Sequence, residues 1–262
     1  NGTLLYPDLN LVHDIEDIRY FGALYVGRYR HFMSILNDQN PKEAFDEFIP
    51  YNYIGVRESR IESPLMNLAG VRVVLSHDNL PLDLFKDISA KDEKIHVYRN
   101  SSAMPRAFPV NKALFASEEQ CSNMLGEGLD FRREACIENL GLQKQAADSG
   151  FSGDAKVDWR RVASDRSEVD VESSGSAMVL VTETYYPGWR AIMENGAELK
   201  IRPADIMFRA VEIPSGKHKV TFIYRPASFK IGLWTTLVSI IMMAFLIKAG
   251  VEPTSGGNKS LL

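Results

Sequence analysis

From Ile231 to Ile247 the chain reads IGLWTTLVSIIMMAFLI, seventeen residues without a charge, closed by Lys230 and Lys248. As a helix this run spans roughly 25 Å, against a bilayer core of about 30 Å. Phe229 and the stems of the flanking lysines extend it, because their polar ends reach back to water while their carbons stay in the apolar layer. Trp234 stands near one end, where an interfacial ring is expected. A run of this kind belongs either in a bilayer or in the interior of a soluble protein. The bilayer is the expectation here, with a transmembrane helix over 229–248. Lysines on both sides give the positive-inside rule nothing to read.

The rest of the chain is ordinary globular material. It has 262 residues, 45% hydrophobic and 24% charged, which is not the composition of a disordered chain. A formal net charge of -4 lacks the basic footprint of a nucleic-acid binder. Two cysteines, Cys121 and Cys136, are too few for a zinc site and too far apart for a redox CxxC. They pair if this part faces an oxidising compartment, or they are two core thiols. The chain starts at Asn1 with no signal-peptide pattern, as a mature product or a fragment would.

Residues 1–150 read as a mixed α/β unit. Asp14 to Asn37 carries apolar residues at helical spacing with basic residues between them. Pro41-Lys42-Glu43-Ala44 opens a short helix with proline in its first turn. Ser63 to Ala69 is a helical turn or two, ended by Gly70. Val71 to Ser76 is a short buried strand and Lys94 to Asn100 the next one. Arg106 to Ala116 is extended, weakened by Pro109. Ser117 then caps a helix.

From 151 to 228 the period changes to that of strands. Ala177 to Tyr186 is a strong strand. Asn195-Gly196 marks a hairpin within WRAIMENGAELKI. Pro214-Ser215-Gly216 marks a second, between Met207 and Pro226, with Val220, Phe222 and Tyr224 on one face. Several strands at short spacing predict an antiparallel β-sandwich or open barrel. The fold class expected is therefore α+β: a mixed α/β unit, a β-sandwich-like domain, a transmembrane helix at 229–248 and a flexible tail at 249–262. Only five residues separate the last strand from the apolar run, so the strands sit close to the membrane surface.

Few residues point to chemistry. The stretch ETYYPGWR (Glu183 to Arg190) ends a strand with three rings, a proline and a glycine. Proline fixes φ and forces the residue before it into extended geometry, and glycine then opens a turn. That makes a corner between strands, with Tyr185, Tyr186 and Trp189 covering the end of the core. The same rings, with Arg190, are candidates for glycan or headgroup contact. Arg19, Tyr20, Tyr25, Arg28 and Tyr29 are secondary candidates, since arginine suits phosphate and tyrosine a sugar face. The plainer reading is an amphipathic helix with tyrosines inward and arginines in solvent. Asp14, Glu16 and Asp17 fit the first turn of that helix better than a metal or acid-base pair. The five histidines form no HExxH, and there is no GxSxG, GxGxxG or phosphate loop. Asn1, Asn100 and Asn258 head glycosylation triplets that carry little weight. No catalytic residue, metal site or cofactor is expected.

LVTETYYPGWRAIMENGAELKI, followed by FRAVEIPSGKHKVTFIYRPASFKIGLW, resembles the C-terminal end of the YfhO-type bacterial membrane proteins. The pattern runs through Tyr185 to Trp189, then Pro214, Gly216, His218, Val220, Phe222, Tyr224 and Pro226. Segments 14–33, 63–76 and 104–110 also resemble that family. Members are polytopic and similar to GT-C glycosyltransferases, which use lipid-linked sugar donors. The resemblance implies an extracytoplasmic portion of such a protein, accessory or on the acceptor side, without catalytic residues of its own. Its implied partners are membrane lipid, a lipid-linked sugar or cell-envelope glycan, and upstream transmembrane helices of the parent. The alternative is a membrane-anchored, non-catalytic glycan-binding or structural module.

Overall fold

The computed structural model describes residues 13, 15–21, 25–39, 53–80, 82–90, 94–139 and 149–250. The helix expected at Pro41 and the tail beyond Gly250 lie outside them. Among the described residues there are four α-helices in chain order: α1 Gly27–Leu36, α2 Pro64–Leu68, α3 Glu118–Glu127 and α4 Ala227–Gly250. The strands are β1 Tyr20–Phe21, β2 Tyr53–Ile54, β3 Val73–Ser76, β4 Phe85–Asp87, β5 His96–Asn100, β6 Ala107–Val110, β7 Lys112–Ala116, β8 Glu134–Glu138, β9 Ser149–Gly150, β10 Lys156–Ala163, β11 Arg166–Ser173, β12 Ala177–Val181, β13 Trp189–Met193, β14 Glu198–Leu199, β15 Arg202–Ala204, β16 Phe208–Ile213 and β17 Gly216–Tyr224.

A seven-stranded sheet, in the order β6-β12-β16-β15-β8-β7-β9, is the centre of the fold. It draws strands from both sides of residue 150. Its parallel pair is β7 with β8. Parallel neighbours need a crossover, and α3 supplies it. Ser117 caps α3 in a full capping box with Gln120, which satisfies two of the free amide ends of the helix. A disulfide joins Cys121 of α3 to Cys136 of β8, with the Cα atoms 5.5 Å apart. Pro109 lies in β6, at the edge of the sheet, where a missing N–H costs nothing.

Both faces of the central sheet are covered, and β12 shows it: all five of its residues are buried. Met178 and Leu180 face a core with Phe32, Met33 and Leu36 of α1. Ala177, Val179 and Val181 face a second core with Val169, Ala191, Val220 and Phe222. Those partners belong to a five-stranded sheet, β10-β11-β17-β13-β14. The strands thus form a curled, half-barrel-like sheet structure beside the mixed α/β region. A smaller sheet, β3-β5-β4, stands at the front.

Two strand expectations are corrected. The segment around Pro214–Gly216 is not a hairpin, because β16 pairs with β12 and β15 while β17 pairs with β11 and β13. Ile213 and Val220 both point into the second core. The turn therefore folds the two strands face to face, and burial overrides edge pairing. The strand expected to be buried at 71–76 is half open, with Val73 and Leu75 each about half exposed. The Asn195-Gly196 hairpin does form: Ala191 stands opposite Leu199, Gly196 takes φ 84°, and a three-residue loop closes it.

Helix α4 has 24 residues, roughly 36 Å at the α-helical rise and longer than the bilayer core. None of its side chains is buried. A core helix of a soluble protein would show the opposite, and a helix apolar on every side needs an apolar surrounding. The hydroxyls of Thr235, Thr236 and Ser239 donate to the carbonyls four residues back, so these three hydroxyls are satisfied within the helix.

Candidate functional site

The Glu183 to Trp189 stretch leaves the central sheet at Val181 and enters the five-stranded sheet at Trp189. It is a corner between sheets. Gly188 has φ +110°, and a Cβ there would stand 3.0 Å from the Pro226 Cα and from the Tyr224 ring. Only glycine meets both demands. The Arg225 N–H donates to the Gly188 carbonyl at 2.8 Å. Trp189 lies opposite Tyr224 in the β-register, with ring centroids 5.4 Å apart, and Tyr186 reaches the same ring at 6.3 Å. Since α4 starts at Ala227, this corner packs onto the chain just before the apolar helix.

Two arginines stack on the rings of the corner. Arg209 of β16 lies over Trp189, 3.8 Å from Cζ to the ring centroid. Its Nε donates to the Thr184 carbonyl at 3.2 Å and its Nη2 meets Glu183 at 3.2 Å. Its Nη1 is buried with no partner. Burial lowers the guanidinium to about 10, with Glu183 pulling the other way, so it stays charged at neutral pH. Arg28 of α1 lies over Tyr185 at 5.2 Å. It grips Glu138 with both nitrogens, at 2.5 and 2.8 Å, and the Ile206 carbonyl at 2.8 Å. Burial pushes Arg28 down, but the hydrogen bond and charge of Glu138 prevail and the net shift is upward.

A cleft of about 1480 Å³ opens beside the corner, walled by Tyr186, Trp189, Trp159, Arg106, Arg209 and Glu183 among others. Arg106 reaches the Thr182 carbonyl at 3.3 Å and also pairs with Glu16. Glu16 pairs in addition with Arg161. Burial and the nearby Arg161 lower Arg106. A smaller hollow of about 390 Å³ is lined by the corner and by Glu198 to Ile201.

The sequence candidates divide accordingly. Tyr186 and Trp189 line the large cleft, and Tyr186 is 47% exposed. Tyr185 faces the smaller hollow and is fixed by its N–H to the Met207 carbonyl. Arg190 turns away to Glu198 across the hairpin, at 2.8 and 2.5 Å. Among the secondary candidates, Arg19 and Tyr29 reach the cleft rim. Tyr20 sits edge-on to Tyr25 and Tyr29 in a structural cluster. The reading of solvent-facing arginines is corrected: Arg28 holds Glu138, and Arg30 is buried with its Nη1 on the Tyr25 hydroxyl. The acidic run is also not a helix start, because α1 begins at Gly27 with no acid in its first turn. Asp17 pairs with Arg19 at 2.7 Å instead, and Asp14 lies outside the described residues. Asn100 is buried and its amide donates to Asn67 and to the Val71 carbonyl, so it is closed to glycosylation.

Sequence reasoning missed Arg209, Arg106 and Glu183. A signal was present in MFRAVEI: Arg209 shares its strand face with Val211 and Ile213, both fully buried. A charge on the apolar face of a strand marks a special position. Among the described residues there is no group of three or more metal-ligating side chains.

No curated protein and no solved structure gives a significant match to the chain. A family model, described as bacterial membrane protein YfhO, matches residues 138–236. That span runs from the end of β8 into α4 and holds the corner, Arg209 and the link Arg225-Pro226 between β17 and α4, but not the front segments that resembled the family. Over those residues the chain is similar to the bacterial membrane protein YfhO.

Proposed function

We propose that the chain is the membrane-proximal, extracytoplasmic part of a larger membrane protein resembling lipid-linked-sugar glycosyltransferases. In this reading it serves the acceptor side of the parent and carries no reacting groups of its own. The observation that carries it is the packing of the corner. Tyr186 and Trp189 form a wall of the large cleft and also touch Tyr224, three residues before α4. In this reading the cleft stands at headgroup height, where the parent would present an acceptor or a lipid-linked group. The disulfide supports an oxidising, extracytoplasmic side. The proposed division is a mixed unit at 1–150, a sandwich-like unit at 151–228, the span and the tail.

The test replaces Tyr186 with alanine in the intact parent. Glycosyl transfer should fall while membrane insertion and the melting temperature hold. Unchanged transfer sinks the role of the corner. A second reading is an anchored glycan-binding module, favoured by the size of the cleft and its tryptophan walls. It requires that the 262-residue chain alone, in detergent, retains cell-envelope glycan.

A further inference from the structure

The large cleft touches Val71, Arg72, Val73, Val74 and Leu75 in unbroken succession. Side chains of a strand alternate between faces, so contact with every residue is contact with the strand's edge. That edge is open: among the described residues β3 is an outer strand of the small sheet and pairs with β5 alone. The backbone bonds fix which groups it offers. The Asn100 N–H donates to the Arg72 carbonyl and the Ile88 N–H to the Val97 carbonyl, each at 2.8 Å. In an antiparallel pair, residues that bond their neighbour alternate with residues that face away. Arg72, Val74 and Ser76 therefore bond β5, while Val73 and Leu75 turn their N–H and C=O outward. Val97, opposite Leu75, gives its carbonyl to the β4 side, which agrees with this phase. Among the described residues nothing takes up the outward groups, and both side chains are about half exposed.

A second edge lines the same cleft and shows what a guarded one looks like. The Tyr224 N–H donates to the Asp165 carbonyl at 2.9 Å, so Ser167, Val169 and Val171 bond β17, and Val157, Trp159 and Arg161 of β10 face outward. Strand β10 carries Lys156, Asp158, Arg160 and Arg161, and its register breaks in a bulge between Arg161 and Ala163. Charges and bulges keep an edge from pairing. Strand β3 reads VVLS in an unbroken register, with no charge, proline or bulge. An unguarded edge with alternating free donors and acceptors is the complement of one chemistry, an extended polypeptide backbone. The side chains set the pattern of that polypeptide. Val73 and Leu75 share one face of the strand. Arg72, exposed and in no ion pair among the described residues, lies on the other.

We propose that the β3 edge is a docking site for an extended segment of a separate polypeptide, which joins the small sheet as a fourth strand. Its residues opposite Val73 and Leu75 are apolar and bond the outward N–H and C=O groups. Its alternate residues are acidic and face the side of Arg72. The main-chain bonds hold the segment and the alternation selects it. The site is built from backbone groups of β3, not from the corner, so it stands apart from the acceptor-side reading and does not require that the parent transfers sugar.

The test uses the full chain in dodecyl maltoside and a fluorescein-labelled hexapeptide of alternating valine and glutamate, amidated at its C-terminus. Binding is read as fluorescence anisotropy, against micelles without protein. Two further peptides keep every side chain. One is N-methylated at the valines, whose N–H groups would point at β3, and the other at the glutamates, whose N–H groups would point away. Saturable binding of the unmodified peptide is expected. Methylation at the valines should weaken it about tenfold or more, and methylation at the glutamates should leave it within about twofold. Leu75→Pro deletes an outward N–H and none that bonds β5, and should weaken binding about tenfold as well. If Leu75→Pro fails to fold, the two methylated peptides still decide. The proposal is overturned if the unmodified peptide shows no saturable binding, if the two methylated peptides bind alike, or if folded Leu75→Pro binds as the unaltered chain does. A dimer of the unaltered chain that Leu75→Pro dissolves would give the edge to a second copy and overturn it too.

Discussion

Arg28 and Arg209 are alike in setting and opposite in state. Each is on an element covering or forming the central sheet, and each stacks on a ring from the same corner. Arg28 has two hydrogen bonds to a buried carboxylate and one to a carbonyl, and its charge is reinforced. Arg209 has a partly matched fork, and its charge is weakened by burial. A matched buried ion pair fixes geometry. An unmatched buried donor carries a desolvation cost that the matched one avoids.

The difference can be broken by experiment, beginning with the largest effect. Arg28→Met leaves Glu138 buried without its cation and should cost roughly 3–5 kcal/mol in denaturant unfolding. A cost below about 1 kcal/mol would mean that the pair is not the lock described. Asp205 sharpens the same end of the sheet. It is fully buried between β15 and β16, its Oδ1 accepts from the Cys136 N–H at 2.8 Å, and its Oδ2 has no partner. Burial raises it to about 7, with the Cys136 bond opposing. Its folded value lies above its unfolded one, so its contribution is full below about pH 4 and is lost as pH rises to about 7. The loss is on the order of 4 kcal/mol across that window. Asp205→Asn should flatten the pH profile of the melting temperature between 4 and 8. An unchanged slope would show that another group carries it.

Arg209→Met should cost less than Arg28→Met, about 1–2 kcal/mol, because it also removes the orphaned donors and Glu183 keeps its Ser167 bond. Equal costs in denaturant unfolding would erase the distinction between the two arginines. Smallest of all, Tyr186→Ala at a half-exposed ring should shift stability by less than about 0.5 kcal/mol. Any larger shift in melting would mean that the ring holds the fold rather than serving the cleft.

The sequence showed the parts governed by local rules. The Ser117 cap, the loop at Asn195-Gly196 and the corner at Pro187-Gly188 each depend on a few neighbouring residues, whereas the edge place of Pro109 and the reply of Gln120 to the cap came from the structure. The apolar run was legible for the same reason. What was hidden depends on distant partners. Pro214–Gly216 looked like a hairpin because its flanks alternate, yet which sheet each flank joins is decided by β12 and β11. Arg28 looked solvent-facing because Glu138 is 110 residues away. The cleft joins residues from Glu16 to Arg209, and no spacing rule links them.

The joint between β17 and α4 has one further consequence. Only Arg225 and Pro226 lie between strand and helix, and Arg225 is tied back to Gly188. A flexible tether of twenty residues would let a domain search roughly 25 Å from its anchor. Two residues allow no such search. The folded body therefore stays within a few ångströms of the first turn of α4, and wherever that helix is anchored the body is anchored with it.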